Sequence, residues 1–236
     1  MNRDERRERD ESGFLKTIHS IHGATTVFPI DLESNGSWFG VNDSGVVLGL
    51  LNRYQDPLKK NAVSRGKIIP KALSFGGIQK VSDFLGNLTV KNYNPFDVVL
   101  FSTENCYRYN WNGTDFNITL FNLEQNFFIT SSSIDMDEVL TTRKQKFNDW
   151  TTKSKVKIRS ANDILQEFHT KQTHNKSHSV LMAREKSHTK SICQAIISNS
   201  SNYLHYLPSA ELEKLLQDVK FDLTKQTANL PFKSSQ

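Results

Sequence analysis

Two apolar runs, Trp38-Phe39-Gly40-Val41 and Val46-Val47-Leu48-Gly49-Leu50-Leu51, are separated only by Asn42-Asp43-Ser44-Gly45. Asn, Asp and Ser favour turns through their own side chains, and the closing Gly accepts a positive φ. The pattern predicts a β-hairpin. Its second run is apolar at nearly every position, so both faces of that strand are covered. A hairpin buried on both sides needs further layers around it, and this limits the folds open to the chain.

The flanking sequence supplies those layers. Residues 26–30 read as a short strand, with Pro29 marking an edge or a bulge. Helical spacing follows in Ile68, Ile69, Ala72 and Leu73, then in Ile78, Val81, Phe84 and Leu85. Gly76-Gly77 splits the two helices, and Pro70 opens or bends the first. Strands are predicted at 97–102, 106–111, 118–122 and 127–130, with Asn112-Gly113 as a hairpin turn. Tyr107, Tyr109 and Trp111 alternate along one of these strands and read as sheet packing. A helix is predicted over 135–150, with Asp135 as N-cap and Val139, Leu140, Phe147 and Trp150 as its apolar stripe. A second covers 160–169, burying Ile164, Leu165 and Phe168. After a polar loop at 170–178, strands are expected at 179–183, 191–197 and 203–207. Ser209 caps a last helix over 210–219, with Leu212, Leu215 and Leu216 inward. Residues 1–12 are almost wholly charged and read as a solvated, disordered tail or a frayed helix, and 225–236 as a frayed tail. The order predicts one α+β domain over 1–236, a four-layer αββα sandwich of antiparallel sheets.

Composition narrows the partners. The 236 residues suffice for a sizeable core, and the net charge of +5 comes from scattered, interleaved residues. The densest basic stretch, 153–159, lacks any nucleic-acid motif and reads as a solvated face, so no nucleic-acid partner is expected. Cys106 and Cys193 have neither metal-ligand spacing nor a disulfide framework, and both read as core thiols. Of seven histidines only His174 and His178 stand four apart, in a polar loop with no carboxylate nearby, so no metal is expected. No cofactor is implied. No apolar stretch of about 20 residues exists and the N-terminus has no hydrophobic signal core, so a cytoplasmic location is the default.

Five short blocks carry a family resemblance. They are Asn2-Arg3-Asp4-Glu5; Gly36-Ser37-Trp38-Phe39-Gly40-Val41-Asn42, continued by Ser44-Gly45-Val46-Val47 and Leu51-Asn52-Arg53-Tyr54; Ser64-Arg65-Gly66; Thr130-Ser131-Ser132-Ser133; and Ser179-Val180-Leu181-Met182-Ala183-Arg184. In this order they resemble the NRDE family, which is similar to transport and Golgi organization protein 2 and, distantly, to the N-terminal-nucleophile hydrolases. In the last block Leu181 and Ala183 stand where the family has Cys and His. The resemblance implies the fold of those hydrolases. It also implies a short strand with a cysteine nucleophile ahead of the Asn-Arg-Asp-Glu segment. That strand is missing here, so the expectation is an assigned start that falls late, or a truncated gene, and a protein inactive as written.

The same resemblance suggests a catalytic set. Arg3 and Asp4 would stabilise charge around an amine and a thiolate, Ser131 or Ser132 would donate to an oxyanion, and Arg184 would stand nearby. Arg53 and Arg65 either pair with Asp or bind an anionic substrate. Two function classes stay open. One is a metal-free, cysteine-dependent amide-bond hydrolase or acyl-transfer enzyme, acting on non-peptide C–N bonds of a small-molecule amide. The other is a non-catalytic haem or lipid carrier or trafficking protein, which requires an apolar pocket that sequence does not show.

Overall fold

The computed structural model describes residues 1–154, 165–217 and 227–233. The hairpin forms as expected. Strands β4 (Phe39–Asn42) and β5 (Val47–Asn52) pair antiparallel, Phe39 opposite Gly49 and Val41 opposite Val47. Gly45 takes φ +72° in the turn, a conformation that suits glycine. Asn42 fixes both the turn and what lies beyond it. Its Oδ1 accepts from the amides of Ser44 and Val46, and its Nδ2 donates to the carbonyls of Leu73 and Gly76.

The hairpin is the middle of a seven-stranded antiparallel sheet in chain order: β2 (Glu11–His19), β3 (Thr25–Asp31), β4, β5, β6 (Phe96–Phe101), β7 (Cys106–Trp111) and β8 (Phe116–Phe121). A four-stranded antiparallel sheet has the order β1 (Asn2–Arg6), β9 (Ser187–Ile197), β10 (Ser201–Leu207), β11 (Thr227–Pro231). The two sheets meet through Val27, Trp38, Phe39, Val41 and Val47 on one side and Cys193, Leu204, Tyr206 and Leu230 on the other.

Helices α1 (Ile68–Leu73) and α2 (Ile78–Gly86) cover the outer face of the large sheet. Their Ile68, Ile69, Leu73, Val81 and Leu85 pack on Leu48, Leu50, Val98 and Leu100. A side chain of this kind, fully buried, contributes about 1.5–3 kcal/mol. Along β5, Val47 belongs to the inner core and Leu48 to the outer one, so both faces are covered. Gly40 is needed for the α1 contact, since a Cβ there would lie 2.8 Å from Leu73 Cδ1 and 3.1 Å from the Val27 carbonyl. Helix α4 (Ser209–Leu216) covers the small sheet, its Leu212 meeting Leu181, Ile192 and Leu207. The chain is therefore α+β, two antiparallel sheets between helices. Among the described residues no helix is long and apolar enough to cross a membrane.

Several local expectations are corrected. Residues 1–12 are not a tail: β1 pairs with β9 from Asn2 opposite Ile192 to Arg6 opposite Ser187, and β2 begins at Glu11. Charge density suggested solvation, and Arg6, Arg7, Glu8 and Asp10 are exposed, but Arg3, Asp4, Arg9 and Glu11 are held in ion pairs within the fold. Residues 227–231 are not frayed, because β11 pairs with β10 and buries Leu230. Pro29 lies in an interior strand, opposite a register shift of β2 between Glu11 and Leu15, so the bulge reading stands and the edge reading does not. Residues 127–130 and 179–183 form no strand; their apolar side chains line a cavity or the core under α4. Helix α3 (Met136–Ser154) starts after Asp135, which has φ +46° and whose carbonyl accepts from the Val139 amide. Of the second expected helix only a wide turn, Leu165–His169, is described. Residues 155–164 and 218–226, and with them most of the basic stretch and the end of the last helix, lie outside the described residues, as do residues 234–236 and the side chains of Leu165, Leu215 and Leu216.

Candidate functional site

A cavity of about 1020 Å³ opens where β1, the inner ends of β4–β6, residues 127–133, α3 and the Leu165–His169 turn converge. One wall is aromatic. Phe128 stacks on Phe147 with centroids 5.2 Å apart, Phe168 meets both edge-on at 6.2 and 5.7 Å, and Trp150 lies 5.4 Å from Phe168. Phe147 and Trp150 are three apart on α3, so they share a face. Leu50, Phe101 and Met182 extend the apolar lining.

The other wall is polar and is built on β1. Strand alternation sends Arg3 and Asp4 to different partners. Arg3 is 6 % exposed. It donates to Glu11 at 2.6 Å and to Asp31, and its guanidinium lies 4.1 Å above the Trp38 ring. Asp4 accepts from Arg143 at 2.9 Å and from the Thr189 hydroxyl at 2.6 Å. Arg143 also donates to Thr130 Oγ1 at 2.9 Å. The Asn2 amide donates to the carbonyls of His169 and Val180, at 2.9 and 2.8 Å. Its Oδ1 lies 2.6 Å from His169 Nδ1. That arrangement makes Nδ1 the protonated nitrogen of a neutral ring, and burial holds the His169 pKa well below the usual range.

Two guanidiniums in the cavity wall have no ion-paired carboxylate among the described residues. Arg184 donates to Ser132 Oγ at 2.8 Å and to the Ser177 carbonyl at 3.1 Å. Arg65 donates to the Pro95 carbonyl at 2.7 Å. Burial, first of all, lowers the pKa of both. Arg53, by contrast, is paired with Asp56 and Asp97.

All four residues proposed from sequence, Arg3, Asp4, Ser131 and Arg184, line this cavity. They are not one cluster of free groups. Arg3 and Asp4 are held in separate networks, and the Ser131 hydroxyl donates to the Asn52 carbonyl. Sequence reasoning missed Arg143 and His169. Arg143 carried a signal, because it falls four residues from both Val139 and Phe147, on one face of α3. His178 is not isolated from carboxylates as expected: its Nε2 lies 3.3 Å from Asp135 and its Nδ1 3.8 Å from Glu138. No group of three or more metal-binding side chains occurs among the described residues.

Cys106 and Cys193 are free, fully buried and outside the cavity lining. Burial pushes their pKa up to about 11 and about 12. A thiol held above ordinary pH is a poor nucleophile. Neither should react with an alkylating reagent at pH 8 in the folded protein, and both should react in denaturant. Mass spectrometry checks this, and rapid native labelling of either would show that it is accessible.

The profile of the Transport and Golgi organisation 2 family matches residues 1–217. No curated protein matches the sequence. Among solved structures the chain is similar to a mutant conjugated bile acid hydrolase from Clostridium perfringens, with a TM-score of 0.44 and 11% identity over 99% of this chain and 92% of that one.

Proposed function

The chain belongs to the Transport and Golgi organisation 2 family, and we propose that its cavity binds a small amphipathic acid of the lipid or haem class. One observation carries this reading. An aromatic cavity of about 1020 Å³ holds Arg65 and Arg184, neither with an ion-paired carboxylate among the described residues. Both guanidiniums are half-buried, with Glu5 near the first and Asp4 and Asp135 near the second but no direct ion pair, and a ligand acid would supply two-pronged, charge-assisted hydrogen bonds. Small-molecule sites run to about 300–1,000 Å³, so the volume suits a long-chain or macrocyclic body. Fatty acids and haem both combine an apolar body with carboxylates.

Two titrations separate them: displacement of a fluorescent fatty acid, and the absorbance change of hemin. A charged hydrogen bond contributes about 1.5–3 kcal/mol. Arg184→Ala and Arg65→Ala are each expected to weaken binding of the acid by about tenfold or more. The alcohol of the same chain length should be unaffected by either substitution. Equal affinity for acid and alcohol, or no binding of either class, would overturn the proposal.

A hydrolase of small-molecule amides is the second reading, and it uses the same cavity. It is favoured by the polar corner where Asp4, Arg143, Thr189, Ser132 and Arg184 form one connected set of hydrogen bonds and neighbouring charges. It needs a nucleophile, and among the described residues no thiol lines the wall. Turnover of a panel of acyl amides, lost on Asp4→Asn, would favour this reading over simple binding.

A further inference from the structure

Strand β8 closes one end of the seven-stranded sheet, and among the described residues nothing pairs with its outer edge. The Asn112 amide donates to the Asp115 carbonyl at 3.2 Å, which sets the phase of the β7–β8 hairpin. Hydrogen-bonded pairs then recur at every second position, through Asn110 with Asn117 and Arg108 with Thr119. The amides and carbonyls of Phe116, Ile118 and Leu120 therefore point away from β7.

Edges of this kind are normally blunted by charge, proline or a bulge. The opposite edge strand, β2, carries Lys16 and a register shift between Glu11 and Leu15. Residues 116–123, Phe-Asn-Ile-Thr-Leu-Phe-Asn-Leu, include no charged residue and no proline. Ile118 and Leu120 are 53 % and 61 % exposed, though both are large and apolar.

The sequence of this edge is complementary to itself. Consider a twofold axis through Ile118 that sets two copies of β8 antiparallel. Ile118 then faces itself, Phe116 faces Leu120 of the second copy, and Asn117 faces Thr119. From Phe116 to Leu120 every cross-strand pair matches apolar with apolar or polar with polar; Phe121 at the end of the strand faces Asp115 of the second copy, and no like charges meet. The outward amide and carbonyl of Ile118 would be exchanged between the copies. A twofold pairing of this type uses both edges at once and closes, so it stops at a dimer.

We infer that β8 is a homodimerisation edge, through which a second copy of this chain extends the large sheet. The inference is independent of the ligand proposed for the cavity, because β8 contributes no residue to the cavity wall.

Position 118 meets its own copy, and that gives a sharp test. Sedimentation velocity on the full chain should show a concentration-dependent dimer. Ile118→Lys and Ile118→Glu should each be monomeric, since each sets like charges face to face. An equal mixture of the two variants should restore a dimer, one of each. Circular dichroism and the urea midpoint should be close to wild type in both, because the side chain is exposed. A wild-type chain that stays monomeric at its highest soluble concentration would overturn the inference. So would a dimer that survives in folded Ile118→Lys, or a mixture that stays monomeric.

Discussion

Replacing Arg3 by Met is expected to lower the unfolding free energy by about 3–5 kcal/mol, the usual cost of removing one partner from a buried ion network. Glu11 would lose its guanidinium partner and keep the Ser191 hydroxyl, and Asp31 would keep Arg9 and the Ser34 amide. Both carboxylates have side chains less than a tenth exposed, at 4% and 7%. Urea denaturation at neutral pH measures the loss, and a change under about 1 kcal/mol would contradict the pairing.

The same substitution has a pH signature. Burial works to raise the Asp31 pKa, but the Arg9 hydrogen bond, the Ser34 amide and the charges of Arg3 and Arg9 outweigh it, and the pKa is lowered. A lowered folded pKa stabilises the protein above the unfolded carboxylate value of about 3.9. That contribution is lost as pH falls through the folded value. The gap in stability between wild type and Arg3→Met should therefore narrow below about pH 4.

Trp38→Ala is expected to cost about 3–5 kcal/mol, the range for deleting a packed aromatic ring. Trp38 is 7 % exposed, lies under the Arg3 guanidinium and tilts against Tyr206 with centroids 6.4 Å apart. Its loss would remove a wall between the inter-sheet core and the cavity. Because Arg3 and Trp38 touch, the double variant should depart from additivity by at least about 0.5 kcal/mol. A single-variant loss under about 1 kcal/mol would show that the ring contributes little to packing.

The elements legible in the sequence are those whose signals are local. The 38–51 hairpin announced itself by a four-residue turn between apolar runs, and α1 and α2 by helical spacing broken at Gly76-Gly77. Strand β1 was illegible for the opposite reason. Nothing near Arg3 in sequence says that it will be buried, because Asp31 reaches it from β3 and Trp38 from the segment just ahead of β4. Residues 127–130 and 179–183 looked like strands because apolar runs do. Phe127 and Phe128 line the cavity and Leu181 packs under α4, where no ladder is needed. The cavity itself was invisible, since it is made where segments far apart in sequence converge. The site residues found from sequence were the charged and hydroxyl members of recognisable blocks. Arg143 was missed because a lone cation on an apolar helix stripe reads as an interruption, although here it binds Asp4.

A crystal structure of the complex with whichever acid binds in solution, a long-chain fatty acid or hemin, tests the cavity most directly. The expected density places a carboxylate within hydrogen-bond distance of Arg184 or Arg65 and the apolar body along Phe128, Phe147 and Phe168. An empty cavity at saturating ligand, or a carboxylate in solvent with no guanidinium contact, would contradict the proposed binding role.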